Sequence, residues 1–279
     1  MSQRKPCLPV MGGSGRLAMV LVCALFWGTA AQAQEIRIGG TGAALGTMQV
    51  LAQAHAKTAP EARLTVLPSM GSGGGIKALL AGAIQIGVSS RPLTEAETKA
   101  GAVAIEYGRT PLVFATALSN KVTGITTQNL VDFYSGKVEE WPTGAKLRLV
   151  LRPIGDSDSE AIKNISPAMR DAKTAAEQRK GMVFTVTDQE TASSLETTAG
   201  TLGPSTLALI LSEKRALKAL AIDGVVPSGP ALANGSYPLY KQMLLVTGPK
   251  SGADALAFVA FIRSPVGKDI LQQTGYWVK

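Results

Sequence analysis

Hydrophobic and polar positions follow two alternating patterns along the chain, and these predict strands and helices in turn. Three short segments, Glu35–Ile38, Leu64–Pro68 and Ala83–Val88, are apolar or alternating and end near glycine, proline or serine, as strands do. Between them, Leu45–Ala56 and Ile76–Ala81 place apolar residues at helical spacing. This strand–helix order predicts a mostly parallel sheet with helices on both faces.

A second block with the same alternation begins after Arg109, and no internal repeat or low-complexity linker interrupts it. Thr126 is a typical N-cap residue for a helix that ends near Gly136. The predicted strands of this block are Leu112–Leu118, Leu147–Leu151 and Tyr237–Thr247, and the other predicted helices are the region up to Glu177, Ala253–Ile262 and Pro265–Gln273. The whole pattern indicates an α/β fold.

The first 33 residues follow a different pattern. Three basic residues precede the apolar run Leu17–Trp27, which is shorter than the roughly 20 residues of a membrane-spanning helix. Ala31-Gln32-Ala33 then provides a small-residue cleavage site. We predict that residues 1–33 are a signal peptide, that the mature chain begins near Gln34, and that it is exported to the periplasm. A buried N-terminal helix is the alternative interpretation.

Both cysteines, Cys7 and Cys23, fall in this segment, so the mature chain is predicted to lack disulfides and thiol chemistry. That suits an oxidising compartment. Lipidation of Cys23 is an alternative, although Val22 is bulkier than the small residue that usually precedes such a cysteine. Loss of three basic residues takes the formal net charge from +8 to +5, which favours an anionic ligand or surface.

The composition argues against most catalytic chemistries. His55 is the single histidine, so neither a usual Cys/His zinc site nor a serine or cysteine nucleophile has the partners it needs elsewhere. We interpret His55 as lying on a solvated helix face. Aromatic residues make up 5% and are not interleaved with a basic cluster, which argues against nucleic acid. We expect a binding protein without metal or cofactor; a secreted phosphatase is the enzymatic alternative.

Three loops each follow a predicted strand and precede a predicted helix: Thr41–Ala44, Gly71–Gly75 and Asp156–Ser159. Backbone N–H groups in the first turn of a helix lack intrahelical partners, and the helix dipole adds positive potential there. Such positions bind tetrahedral oxyanions. Arg91 and Arg152 adjoin these loops and carry guanidinium groups that match two anion oxygens. Ordinary helix capping and surface ion pairing are the alternatives.

The order of these motifs resembles the periplasmic phosphate-binding proteins of ABC importers, within the type II periplasmic-binding-protein superfamily. The resemblance covers the mature chain. It rests on Thr41-Gly42, Gly71-Ser72-Gly73-Gly74, Ser89-Ser90-Arg91-Pro92, Ser135-Gly136-Lys137 before Trp141, Arg152 before Asp156-Ser157-Asp158-Ser159, Tyr237-Pro238-Leu239-Tyr240 and Ser264-Pro265-Val266-Gly267.

This resemblance implies two α/β lobes joined by two crossing strands and closing on an anion. Lobe 1 would comprise residues 34–110 and 243–279, and lobe 2 residues 111–242. The implied ligand-binding residues are Thr41, Gly42, Ala43, Ser72, Gly73, Ser90, Arg91, Arg152, Asp156, Ser157 and Ser159. The implied partners are phosphate or a similar oxyanion and a membrane ABC permease, and the implied state is a monomer.

Three features depart from the family pattern: the Thr-Phe pair of the first loop is absent, Asp158 replaces a glycine in the fourth loop, and Ser90 replaces an aspartate. The best-known branch has an aspartate where this chain has Ser90, and that aspartate accepts the proton of hydrogen phosphate and so rejects sulfate. Asp156 or Asp158 is the candidate replacement, unless both only cap the helix. Molybdate, tungstate and arsenate therefore stay open as ligands, and a sensing or adhesion role on the same fold stays open as a function.

Overall fold

The computed structural model describes residues 35–278. The predicted signal peptide, its cleavage site and both cysteines lie outside the described residues. Within residues 35–278, no helix combines the length and the hydrophobicity needed to cross a bilayer.

Strands and helices alternate along most of this range. The strands are β1 (Ile36–Gly40), β2 (Leu64–Val66), β3 (Ile86–Ser89), β4 (Val103–Ala117), β5 (Gly124–Ile125), β6 (Arg148–Leu151), β7 (Val183–Phe184), β8 (Thr201–Thr206), β9 (Leu217–Ala219), β10 (Ala221–Ile222) and β11 (Tyr240–Thr247). The helices are α1 (Gly42–His55), α2 (Gly71–Ala81), α3 (Glu95–Lys99), α4 (Thr127–Ser135), α5 (Ser157–Lys163), α6 (Pro167–Gln178), α7 (Asp188–Thr197), α8 (Leu207–Ser212), α9 (Gly229–Ala233), α10 (Gly252–Arg263) and α11 (Pro265–Gln273).

The main sheet has the order β2-β1-β3-β11-β4-β8-β6-β7, with β9 also paired to β4. β1 runs parallel to β2 and β3, as predicted, whereas β11 is antiparallel to both β3 and β4. The 15-residue strand β4 changes partners along its length: up to Pro111 it pairs with β11, and from Leu112 it pairs with β8 and then β9. β4 and β11 are therefore the strands that connect the two halves of the sheet.

Each half of the sheet has its own hydrophobic core. The first core joins β1, α1 and β3 to the end of β11 and to α10 and α11. The second joins the far end of β4 to α4, β6 and α6. The C-terminal helices thus return to the first half, because their apolar residues, Phe258 and Ile262 among them, pack on α1.

Two local predictions were wrong. His55 is 8% exposed rather than solvated, because the rings of Phe258 and Phe261 cover it with centroids at 5.3 and 4.9 Å. Residues Gly71–Gly75 are not a loop but the first turns of α2. At Gly75 the small size serves packing, since a Cβ there would lie 2.6 Å from the Cα of Gly40 on β1.

Candidate oxyanion-binding site

Three serine hydroxyls from distant parts of the sequence meet where the two halves of the sheet face each other. The Oγ atoms of Ser72 and Ser90 are 3.2 Å apart, and the backbone N–H of Ser90 donates to Ser72 Oγ at 3.0 Å. Ser90 Oγ is also 3.2 Å from Ser157 Oγ. Ser72 lies in the first turn of α2, Ser90 follows β3 and Ser157 begins α5, so all three lie at strand ends or helix starts.

Lys241 joins this cluster from β11, and no pattern in the sequence indicated it. Its Nζ donates to Ser157 Oγ at 3.2 Å and to the carboxylate of Asp158. Lys241 and Asp158 are both buried. Burial lowers the pKa of Lys241, but the neighbouring carboxylates, Asp158 first, outweigh it and raise that pKa overall. The ammonium group is therefore charged at neutral pH.

Arg152 supplies the second buried cation. Its Nη2 and Nε donate to the two carboxylate oxygens of Asp156 at 3.0 and 3.3 Å, and Nη1 donates to the carbonyl of Thr185 at 2.9 Å. Nε also lies 3.8 Å from Asp158 Oδ2. Burial lowers the pKa of Arg152, yet the surrounding carboxylates raise it above its ordinary value.

Asp156 both caps a helix and binds a cation. As the N-cap of α5 it accepts from the N–H of Asp158 at 2.9 Å. Its carboxylate also holds Arg152, and that of Asp158 holds Lys241. Both oxygens of Asp156 and Oδ1 of Asp158 are thus already engaged by donors of this chain.

Two other candidate residues have different partners in the structure. Ser159 Oγ donates to the carbonyl of Arg152 at 2.9 Å. Arg91 forms a two-pronged ion pair with Glu97 at 2.9 and 2.7 Å. That hydrogen bonding lowers the pKa of Glu97 to about 2. Arg91 still lies beside α2, since its Nη2 is 3.7 Å from the position of a Cβ on Gly73.

The first candidate loop meets the start of α7. Thr41 is the N-cap of α1 without a side-chain capping bond, and within residues 35–278 no acceptor contacts the N–H of Gly42 or Ala43. A Cβ on Gly42 would lie 2.7 Å from Asp188 Oδ2. Gln189 Nε2 donates to the carbonyl of Gly42 at 3.0 Å. Loop and helix are therefore in direct contact across the two halves.

Asp188 is a second site residue that was not predicted from the sequence. It is buried, and burial raises its pKa, with further raising by Asp158 and lowering by Lys241. The Thr187-x-x-Glu190 pattern, which forms a capping box, is a sequence signal for this helix start.

In sum, hydroxyls and free amides lie beside two cations and three carboxylates. This set of groups can hold a small oxyanion by hydrogen bonds from both halves.

The connecting strands and the polar site between two α/β halves define a two-lobed binding protein. The model of the PBP superfamily domain matches residues 28–266, so the chain belongs to that superfamily. The predicted fold class, a type II periplasmic-binding-protein fold, is thereby confirmed.

Individual relatives are distant but cover most of the chain. The phosphate-binding protein PstS of Bacillus subtilis is 27% identical over 252 residues, covering 87% of this chain and 80% of the relative. A structure from Clostridium perfringens, described as a putative phosphate ABC transporter substrate-binding protein with bound phosphate, superposes with a TM-score of 0.74 at 22% identity, covering 88% of this chain and 100% of that one. The periplasmic molybdate-binding protein of Azotobacter vinelandii superposes with a TM-score of 0.63 at 17% identity, with the same coverage.

Proposed function

We propose that the mature chain is an exported solute-binding protein that captures phosphate, or a similar tetrahedral oxyanion, between its two lobes and delivers it to an ABC permease. The observation that carries the proposal is the hydroxyl of Ser90, which contacts Ser72 in one half and Ser157 in the other. An anion bound to these hydroxyls links both halves. The Bacillus subtilis relative, a phosphate-binding protein, supports phosphate as the ligand.

In this proposal the lobes are residues 34–110 with 243–279, and residues 111–242. The anion binds through the first-loop amides of Gly42 and Ala43, the three serine hydroxyls, and the cations Arg152 and Lys241. Five further residues lie next to these anion-binding groups: Thr41, Gly73, Arg91, Asp156 and Ser159. Hinge motion about β4 and β11 opens and closes the cleft. The protein performs no catalysis in this role.

Titration calorimetry tests the proposal directly. The mature protein, stripped of bound anion by unfolding and refolding, is titrated with phosphate, arsenate, sulfate, molybdate and tungstate. We expect phosphate to bind most tightly. Preference for tungstate, or for molybdate, which the Azotobacter relative is named for binding, would replace phosphate as the ligand but keep the oxyanion-binding function. Absence of binding by every anion, or turnover of a phosphomonoester, would refute it.

We propose a periplasmic location and a monomeric state for the same protein. Mass spectrometry of the exported form is expected to give a chain that begins at Gln34 or Glu35. A mass that retains residues 23–33 and acyl chains would show a lipoprotein instead. Anion uptake that depends on both this protein and a permease encoded beside it would separate transport from a sensing or adhesion role.

A further inference from the structure

Asp188 carries a buried carboxylate that no hydrogen-bond donor contacts among residues 35–278. The residue is 8% exposed. Asp156 and Asp158 differ from it, because each accepts hydrogen bonds from a cation of this chain. Burying a carboxylate without hydrogen-bond donors costs free energy. We therefore expect a bound ligand or a proton to compensate it at this position.

Backbone N–H groups that have no acceptor among the described residues lie next to this carboxylate. Asp188 Oδ2 lies 2.7 Å from the position of a Cβ on Gly42, beside the free N–H groups of Gly42 and Ala43 at the start of the 14-residue helix α1. An oxyanion that accepts from these amides therefore has Asp188 as a neighbour. The carboxylate and the anion would repel each other unless a proton lies between them.

Charged groups from several packed elements act on Asp188. β11 contributes Lys241, the residue after β6 is Arg152, and α5 contributes Asp158 together with its N-cap Asp156. The first turn of α1 contributes no acidic residue. On the α8 side, Glu213 accepts a hydrogen bond from Gln189, the residue after Asp188, and Glu190 of α7 caps its own helix. Burial is the largest effect and raises the pKa of Asp188.

We propose that Asp188, rather than Asp156 or Asp158, contacts the bound oxyanion and shares one proton with it. This inference rests on the proposed oxyanion-binding function. With hydrogen phosphate, the ligand brings the proton and an ionised Asp188 accepts the hydrogen bond. With an anion that has no proton, such as sulfate, Asp188 takes up one proton from solvent and donates the hydrogen bond itself. The site thus discriminates between anions by their protonation.

Proton linkage gives a measurable signature. When binding takes up one proton, the association constant falls about tenfold for each unit of pH increase. Above the second pKa of phosphate, we expect sulfate affinity to show this slope in the wild type and phosphate affinity to be nearly flat. In Asp188→Asn, the amide donates to either anion without a proton. Its sulfate affinity should therefore be flat, and at about pH 8 at least tenfold higher than in the wild type.

Calorimetry of the wild type, Asp188→Asn, Asp188→Ser and Asp158→Asn between about pH 7.5 and pH 9 tests this. Exposed Asp254→Asn on α10 is the matched control, and thermal melting verifies that each variant folds. Asp158→Asn should weaken both anions but keep the sulfate slope. Sulfate admitted by both Asp188 variants but not by the wild type would also support the proposal.

Several outcomes would overturn it: a flat sulfate profile in the wild type, an unchanged slope or continued exclusion of sulfate in both Asp188 variants, or loss of the slope in Asp158→Asn. If the wild type binds phosphate but the Asp188 variants discriminate as it does, only this inference fails. If the wild type binds no oxyanion, the proposed function fails as well.

Discussion

The two sides of the candidate site use different chemistry. The side built by α2 and the residues after β3 offers neutral hydroxyls and amides, and Arg91 beside it is paired with Glu97. The side built by α5, α7 and β11 carries buried charges, with Arg152 and Lys241 set among carboxylates. The neutral side can hold any oxyanion of the right size. The charged side therefore controls affinity and selectivity, because buried charges respond strongly to a new charge nearby.

Among the predicted variants, removal of Arg152 from the charged side should cause the largest loss of anion affinity. A hydrogen bond to a charged group contributes about 1.5–3 kcal/mol, so Arg152→Ala should weaken anion binding roughly 10- to 100-fold. It also leaves Asp156 without its cation, which should lower the free energy of unfolding by about 3–5 kcal/mol. Calorimetry and thermal melting measure the two effects.

Arg109→Ala is the matched control for Arg152. Arg109 lies on β4, pairs with Glu106 and stacks on Tyr240 with its guanidinium carbon 4.8 Å from the ring centre. It contacts none of the three site serines. We expect at most about a threefold loss of affinity, which is below 1 kcal/mol. Equal, small effects from both arginine variants would remove Arg152 from the site.

Removal of Lys241 should cause the second-largest loss of anion affinity. Lys241→Met removes the buried ammonium that serves both Ser157 and Asp158, so we expect roughly tenfold weaker anion binding and a clear drop in melting temperature. Lys241→Arg keeps the charge and should recover part of both losses. If Lys241→Met binds as tightly as the wild type, the buried charges do not dominate, and the contrast between the two sides is wrong.

Single hydroxyls on the neutral side should contribute less. Ser90→Ala and Ser72→Ala each remove a neutral hydrogen bond, which contributes about 1 kcal/mol, so affinity should fall about fivefold in each. Ser119, exposed in the turn after β4, provides the control Ser119→Ala with no change. A loss as large as that of Arg152→Ala would mean that the neutral side controls affinity.

The smallest expected effect is the pH-dependent stability contributed by the ion pair between Arg91 and Glu97, beside the neutral side. Hydrogen bonding from Arg91 lowers the pKa of Glu97 from 4.5 to about 2. The stability that this pair contributes is therefore present above about pH 4.5 and is lost as the pH falls toward about 2. Carbon-13 NMR should find the low titration midpoint in the wild type and a midpoint near the ordinary value in Arg91→Gln. An unchanged midpoint in Arg91→Gln would show that Arg91 is free for the anion.

The sequence predicted the fold well wherever elements had a clear period. The parallel strands β1–β3, the N-cap Thr126 and the C-terminal helices were found because their apolar residues recur at strand or helix spacing. Between Gln178 and Tyr237 no element was predicted. β8 illustrates the reason: it contains Gly203 and Pro204, which normally argue against a central strand, yet it is fully buried between β4 and β6.

The candidate site was likewise only partly predictable from the sequence. Serines and glycines before helices are visible in a sequence, and Ser72, Ser90 and Ser157 do meet. Buried charges have no such signature. Lys241 sits in an alternating strand among Tyr240 and Gln242, where it resembles a solvent-facing residue until the opposing Asp158 is placed. Only tertiary structure reveals such pairs.

The change of partner along β4 has a mechanical consequence. Pro111 lies opposite Tyr240 at the last rung shared with β11, and the next residue, Leu112, begins the ladder with β8. Proline has no N–H, and the nitrogen of Pro111 faces away from β11, because Leu112 N–H donates to Leu239 on the β11 side whereas Arg109 N–H donates to Trp277 on the opposite edge. On that opposite edge, β4 therefore donates no hydrogen bond at Pro111, between the bridge to Trp277 and the ladder with β8. A two-stranded ribbon already tolerates more twist than a wide sheet. At Pro111 the ribbon of β4 and β11 thus receives no hydrogen bond from the β4 nitrogen to a third strand, and torsion there lets each half move as a rigid body while its own core stays intact.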